Sequence, residues 1–149
     1  MIQRIQTLWL LAAVAAVAAT FVLPFMQAPD GDPARAVTAL ADGALTPTDN
    51  TGLLGLSALG ALTALAAIFL FKNRPLQGRL ALAGAGIGVL LLGLAILAVN
   101  MAKAEMPQGA NATLSPGVVL PGLYGIFCWL AARAIRRDEA LVRSMDRLR

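Results

Sequence analysis

Four long stretches of apolar residues, none of which contains a charged side chain, dominate the pattern of the chain. They cover residues 5–27, 52–71, 80–102 and 117–132. A helix rises about 1.5 Å per residue, so roughly 20 residues cross a hydrocarbon core about 30 Å thick, whereas strands rarely exceed about ten residues. The fourth stretch reaches this length if its helix continues to residue 135 while Arg133 extends toward the interface. The pattern therefore predicts an all-α integral membrane protein, a single four-helix bundle whose last span covers residues 117–135.

The first stretch has an alternative interpretation as a cleaved signal peptide. Arg4 would form its basic start and residues 8–19 its apolar centre. The apolar part, however, continues to Met26, and a small-residue cleavage pattern occurs only at residues 34–36. We therefore favour a retained membrane span.

The charged residues between the spans predict the orientation in the membrane. Ten of the twelve Lys and Arg residues fall on one side: one at Arg4, three between residues 72 and 79, and six from Arg133 onward. The two opposite loops contain Arg35 and Lys103 together with five acidic residues. Cytoplasmic loops of membrane proteins carry the excess of cations, so both termini and the middle loop are expected in the cytoplasm. We interpret the pI near 10.2 as a result of this basic rim and expect no nucleic-acid partner.

The middle loop predicts how the second and third helices are joined. It has about eight residues, 72–79, which makes these helices antiparallel neighbours. Pro75 is expected to end the second helix, and Gly78 is expected in a tight turn.

The first outer loop and the starts of two spans contain helix-start signals. Asp32 followed by Pro33 predicts the start of a short surface helix whose apolar residues continue to Leu45. Thr51 and Ser115 are expected to cap the second and fourth spans.

Composition excludes most kinds of catalytic and metal site. Only 13% of the 149 residues are charged and 58% are hydrophobic, and there are no histidines and one cysteine, Cys128. This excludes Ser-His-Asp triads, Cys-His dyads, the usual zinc sites and a disulfide within the chain. No acidic or basic residue lies inside the four apolar stretches, where such residues would mark ion or proton pathways. We therefore expect no enzyme activity, no cofactor or metal, and no proton-coupled transport.

Small residues in the second and third spans mark candidate surfaces for close helix packing. The second span contains Gly55 and Gly60, and the third contains Gly84 and Gly88 one turn apart. Glycine at this spacing lets two helix backbones approach closely, which favours dispersion and weak Cα–H···O contacts. The partner helix lies either within the bundle or in another chain, so a homo-oligomer is an open alternative.

The residues after the fourth span form a basic tail, residues 136–149, that continues the helical pattern. Apolar residues from Ile135 to Leu148 form a partial stripe, and Glu139 can pair with Arg143 one turn later. Such an amphipathic helix either rests on anionic membrane lipid or docks against a cytoplasmic protein.

Three segments of the chain resemble a known family. They are residues 1–11 (MIQRIQTLWLL), 71–80 (FKNRPLQGRL) and 136–149 (RRDEALVRSMDRLR). These segments are similar to parts of the DUF4293 family, small four-span inner-membrane proteins of Bacteroidota. The resemblance implies a multi-pass protein of the cytoplasmic (inner) membrane and assigns no activity. The chain departs from the family in having Trp9 where a tyrosine is expected, and in its Ala- and Gly-rich spans.

All three segments fall on the predicted cytoplasmic side, which makes this side the candidate interaction surface. Its charged and amide side chains are Gln3, Arg4, Gln6, Lys72, Asn73, Arg74, Gln77, Arg79, Arg136, Arg137, Asp138, Glu139, Arg143, Asp146, Arg147 and Arg149. Together with the lack of catalytic groups, this surface favours a non-enzymatic scaffold or accessory subunit that binds a protein partner or anionic lipid. The alternative is a carrier or channel for a lipid or small apolar solute, with a cleft between the second and third spans.

Overall fold

Four α-helices form the body of the protein in a computed structural model, which describes the backbone of residues 3–146 and the side chains of residues 5–141. The helices are α1 (Gln3–Ala19), α2 (Thr51–Phe69), α3 (Arg74–Ala104) and α4 (Leu120–Asp146). α4 packs along α3 and α1, and α2 packs against α3 and α1. This confirms the prediction of a mainly helical fold with four long helices, and the second and third helices are neighbours.

Within the described residues, three helical segments are long and apolar enough to cross a membrane. They are Thr51–Phe69, Arg74–Ala104 and Pro116–Leu141, whereas the apolar helix Ile5–Ala19 is shorter. Large apolar side chains such as Val22 point away from the bundle along much of its exterior. The chain therefore has the helices and the surface of a membrane protein.

The first helix is shorter than the predicted span of residues 5–27, and that prediction is wrong at its far end. α1 ends at Ala19, and the Thr20 hydroxyl donates to the carbonyl oxygen three residues earlier at 2.6 Å. Pro24 has no amide hydrogen with which to continue a helix. The fully buried Met26 then lies in a strand, where it fills the core from an extended backbone.

A small antiparallel sheet, which the all-α prediction lacks, joins the loops beyond the C-terminal end of α1. Its strands are β1 (Met26–Gln27), β2 (Ala44–Leu45) and β3 (Thr113–Leu114), in the order β2-β1-β3. The Phe25 amide donates to the Leu45 carbonyl at 2.8 Å, and the Ser115 amide donates to the Phe25 carbonyl at 3.0 Å. Two residues per strand are too few to produce an alternating sequence pattern. We refer to residues 20–50 and 105–119, joined by this sheet, as the loop cap.

The short surface helix predicted to continue to Leu45 is replaced by two 3₁₀ turns. They cover Pro33–Ala36 and Thr38–Leu40 and are separated by Val37, whose backbone is extended. The predicted helix start is confirmed, because the Asp32 carboxylate accepts a hydrogen bond from the amide two residues later at 2.8 Å. The extended backbone at Val37 interrupts the predicted helix, and the chain is extended again where Ala44 and Leu45 form β2.

The predicted caps of the second and fourth spans need correction. Asn50, and not Thr51, caps α2, because its side-chain oxygen accepts from the amides of Gly52 and Leu53 at 2.9 and 3.2 Å. Ser115 precedes a 3₁₀ turn and makes no capping hydrogen bond with its side chain. Asn and Thr are both favoured N-cap residues, so the sequence could not choose between these neighbours.

The connection between α2 and α3 is shorter than predicted, since α3 begins at Arg74 instead of Leu80. Pro75 lies in the first turn of α3 and does not end α2. Proline is favoured there because the amide that it lacks would have no partner in the helix. Gly78 is inside α3 and not in a turn, and a Cβ atom added to it would lie 3.4 Å from Ile135 Cγ2 on α4.

Candidate functional site

The centre of the bundle is a close contact of α2, α3 and α4 around the fully buried side chain of Tyr124. Its hydroxyl donates a hydrogen bond to the Gly60 carbonyl oxygen at 2.9 Å. A Cβ atom added at Gly84 would lie 3.1 Å from this hydroxyl, and one added at Gly88 would collide with the backbone of Gly125. The structure thus places three of the four candidate packing glycines in contacts with α4 of the same chain.

Three further small or polar residues of α2 differ in their surroundings. Gly55, the fourth candidate, is exposed on α2, and an added Cβ would have no neighbouring atom within 4 Å. Ser57 is buried, and its hydroxyl has no hydrogen-bond partner. The Thr63 hydroxyl donates to a carbonyl of its own helix at 2.7 Å. No group of three or more His, Cys, Asp or Glu side chains that could hold a metal ion occurs in the described part of the chain.

The candidate interaction surface lies where α1 begins, α2 connects to α3, and α4 leaves the core; we refer to it as the basic end. Gln6 on α1 contacts Asp138 on α4 there, and Gly78 on α3 faces Ile135. The side chains exposed at this end are Lys72, Asn73, Arg79, Arg136 and Arg137, and those of Arg74 and Glu139 are half-buried. The side chains of Gln3, Arg4, Arg143 and Asp146, and the whole of Arg147 and Arg149, lie outside the described residues.

Three polar residues assigned to this surface are buried, which corrects their assignment to an exposed surface. The Gln6 side-chain amide donates a buried hydrogen bond to the Asp138 carboxylate and so joins α1 to α4. The Gln77 side-chain amide donates to the Ala67 carbonyl oxygen at 2.9 Å and joins α3 to α2. Buried polar groups are stabilising only when they are paired in this way. These residues hold the helices together at the basic end.

The spacing of Gln6 and Gln77 from apolar residues of the same helices could have predicted that these two side chains are buried. Gln77 precedes the buried Ala81 and Gly84 by one and two turns, which puts all three on the same face of α3. Gln6 precedes the buried Leu10 by one turn in the same way. Asn73, in contrast, precedes α3, and its side-chain oxygen accepts from an amide of the first turn at 3.3 Å.

Two neighbouring cavities, which the sequence did not predict, lie on the exterior of the bundle beside α3 and α4 and have Trp129 in common; we refer to the two together as the groove. Its apolar part has a volume of about 370 Å³, and its lining includes Gly88, Val89, Gly122, Gly125 and Ile126. Its continuation has a volume of about 390 Å³, and its lining includes Leu82, Arg133, Arg136 and Arg137. Trp129 lines both parts, and the Arg133 guanidinium carbon lies 5.6 Å from the centroid of its ring. The groove is therefore apolar along most of its length and cationic at one end.

Five of the six charged side chains of the loop cap, all except that of Glu105, make contacts within the cap. The Asp32 carboxylate accepts from the Ala34 amide at 2.8 Å and from the Asn111 amide at 3.0 Å, which ties the two loops together. These hydrogen bonds, with the one from Ala34 the strongest influence, hold the pKa of Asp32 below its ordinary value of 3.8. Arg35 forms an ion pair with Asp30 at 2.5 Å and donates to two carbonyl oxygens of its own loop.

α4 continues without a break from the apolar groove into the tail, as far as Asp146. The predicted apolar stripe of the tail depends largely on side chains after Leu141, which lie outside the described residues.

Comparison with known proteins gives a family but no activity. The family model described as Domain of unknown function (DUF4293) matches residues 2–148, nearly the whole chain. No curated protein and no solved structure matches the chain.

Proposed function

Since the chain belongs to the DUF4293 family, we propose that it acts as a non-enzymatic scaffold or accessory subunit in the cytoplasmic (inner) membrane of a bacterium. Its basic end binds a protein partner or the headgroups of anionic lipids. The observation that carries this proposal is the difference between the two ends. The loop cap pairs Arg35 with Asp30, whereas six cations at the basic end are exposed or half-buried: Lys72, Arg74, Arg79, Arg133, Arg136 and Arg137. Each such cation near an anionic membrane surface contributes about 1 kcal/mol of attraction.

We infer further that all four helices lie in the membrane, with both termini and the α2–α3 connection in the cytoplasm. The concentration of cations at the basic end supports this orientation. The contact of Gln6 with Asp138 puts the start of α1 beside the end of α4, as an even number of spans requires. α1 is short, but the exposed apolar side chains of Phe21, Val22 and Leu23 lengthen its apolar surface.

Reporter fusions test this orientation. A fluorescent protein that matures only in the cytoplasm is fused after Arg149, and alkaline phosphatase, which is active only in the periplasm, is inserted at Gly109 in the loop cap. An added Cβ at Gly109 would have no neighbour within 4 Å, so this position has room for an insertion. We expect both reporters to be active. The proposal would be contradicted if the fluorescent protein fused after Arg149 stayed dark while alkaline phosphatase fused at that same position was active.

Copurification tests the binding role. The full chain is extracted in mild detergent beside a chain that ends at Leu141, which keeps the contact between Gln6 and Asp138, and beside a variant with Lys72, Arg74 and Arg79 changed to Gln. We expect the full chain to retain a protein partner or anionic lipid that the altered chains retain in smaller amounts. Identical protein and lipid profiles for all three chains would contradict the proposal.

A carrier or channel for a lipid or small apolar solute is the competing proposal. The groove between α3 and α4 favours it, although the expected cleft lay between the second and third spans. Proteoliposomes separate the two functions. Faster movement of a fluorescent phospholipid between leaflets than in empty vesicles would favour the carrier, and equal rates would favour the scaffold.

A further inference from the structure

We propose that the groove between α3 and α4 is a binding site for one anionic phospholipid. An acyl chain lies along the glycine-lined part, and the phosphate contacts Arg133, Arg136 and Arg137. This inference deepens the proposed function, and the assignment of the site to the cytoplasmic leaflet rests on the orientation proposed above.

The apolar part of the groove has the form that an acyl chain requires. Gly88, Gly122 and Gly125 carry no side chains, so the floor between the helices is backbone, while Val89 and Ile126 form walls that are 71% and 52% exposed. The surface is almost free of polar atoms and opens outward along the bundle. A flexible hydrocarbon chain can fill such a narrow open furrow and bury its walls, which gains free energy from close packing.

The length of the groove also fits a lipid. At about 1.5 Å per residue, α4 rises about 21 Å between Gly122 and Arg136. The hydrocarbon of one leaflet is about 15 Å thick, half of a typical core. A groove of this length is longer than one leaflet, so an acyl chain whose phosphate lies at Arg136 can lie along it and pass Trp129, which is about midway between the two ends.

The charge at the end of the groove selects the headgroup. Arg133, Arg136 and Arg137 are spaced so that they share one side of α4, and all three are exposed. No acidic side chain lines this part of the groove among the described residues, and the nearby Asp138 carboxylate is buried against Gln6. Guanidinium groups bind phosphate oxygens through paired hydrogen bonds, so three of them favour a headgroup that keeps a net negative charge.

Fluorescence quenching of Trp129 tests the site in the full chain. The chain has two tryptophans, and Trp9→Phe leaves Trp129 as the single emitter while keeping an aromatic ring beside Phe127. The purified protein is titrated in vesicles with phosphatidylglycerol whose acyl chains carry bromine, and separately with phosphatidylcholine carrying the same chains. We expect half-maximal quenching at an approximately tenfold lower mole fraction of phosphatidylglycerol. Equal quenching by the two lipids would overturn the proposal.

Two pairs of matched variants locate the site. Changing Arg133, Arg136 and Arg137 to Gln is expected to abolish the preference of Trp129 quenching for phosphatidylglycerol. Changing Lys72, Arg74 and Arg79 to Gln is expected to lower the total anionic lipid that copurifies but to keep this preference at Trp129, because none of these three residues lines the groove. Val89→Phe, which puts a ring into the groove, is expected to weaken quenching by both lipids about tenfold. Leu90→Phe, at a neighbouring residue that is 61% exposed and does not line the groove, is the control and leaves quenching unchanged.

The outcomes separate this inference from the proposed function. Equal loss in the two triple variants would overturn the site and leave a diffuse basic surface that still binds anionic lipid. A copurifying protein that shields Trp129 from brominated lipid would overturn the lipid site in favour of protein docking. If the reporter fusions show the opposite orientation, the lipid site is assigned to the other leaflet, and the interpretation of the quenching results does not change. If the arginine variant does not fold, the Val89→Phe and Leu90→Phe pair decides the question alone.

Discussion

The loop cap and the basic end are held together by different kinds of contact. In the loop cap, backbone hydrogen bonds of a three-stranded sheet and the Asp32 carboxylate join loops that are distant in sequence. At the basic end, buried side-chain amides of Gln6 and Gln77 join helices directly. The cap therefore consumes its polar groups in its own folding. The basic end buries the amides of Gln6 and Gln77 to fix the helices, and Arg79, Arg136 and Arg137 are exposed there.

The largest expected effect is at the loop cap, where backbone segments touch. A Cβ atom added at Gly117 would collide with the carbonyl oxygens of Leu23 and Pro24. Gly117→Ala therefore forces a backbone shift, and we expect the free energy of unfolding to fall by about 1–3 kcal/mol. Thermal unfolding in detergent measures the change. Gly55→Ala, where an added Cβ meets nothing within 4 Å, is the control and is expected to be neutral or stabilising. Equal losses in the two variants would show that the cap is not closely packed.

An effect of similar or smaller size is expected at the basic end. Asp138→Ala leaves the Gln6 amide buried without an acceptor, which costs about 1–3 kcal/mol of unfolding free energy. Asp138→Asn keeps a carbonyl oxygen that can accept the same hydrogen bond and is the matched control. In a double-mutant cycle, Gln6→Ala combined with Asp138→Ala is expected to cost less than the sum of the single changes. Strict additivity would mean that the two side chains do not stabilise each other.

The smallest expected effect is the response of the loop cap to acid. The pKa of Asp32 is lower in the folded protein than its ordinary value of 3.8, chiefly because the Ala34 amide donates to the ionised carboxylate. The unfolded chain therefore binds this proton first as the pH falls. The stabilisation is complete above the ordinary pKa and is lost as the pH drops through the folded pKa. Unfolding temperatures at pH 6 and pH 3 are expected to differ less in Asp32→Asn than in the unaltered protein. Equal differences would assign the acid response to other groups.

The spans could be predicted from the sequence because their apolar pattern is local. Residues 52–71 and 80–102 contain enough consecutive apolar residues to define helices without reference to the rest of the chain. The end of α1 could not be predicted, because it depends on Met26 pairing with strands that lie about 20 and 90 residues away. An apolar residue buried in a strand and one facing lipid from a helix look the same in a composition pattern.

The candidate site could be predicted only in part, for the same physical reason. The distribution of Lys and Arg along the chain predicted which end of the protein is basic. The structure places Lys72, Arg79 and Arg136 on the surface at that end. The role of Gln77 depends on which face of α3 is buried. In the sequence, that face is indicated only by the helical spacing of Gln77, Ala81 and Gly84. The groove exists only where α3 and α4 are neighbours, and no local sequence pattern predicts that these two helices pack together.

The unbroken course of α4 has a mechanical consequence. Its 27 residues span about 40 Å, more than the hydrocarbon thickness of a bilayer, with no flexible joint between Trp129 and the tail. A rod of this kind turns as one body. Because α4 also packs along α3 and α1, a change of tilt that keeps these contacts must turn the whole bundle, and the part of α4 beyond the core is carried sideways with it.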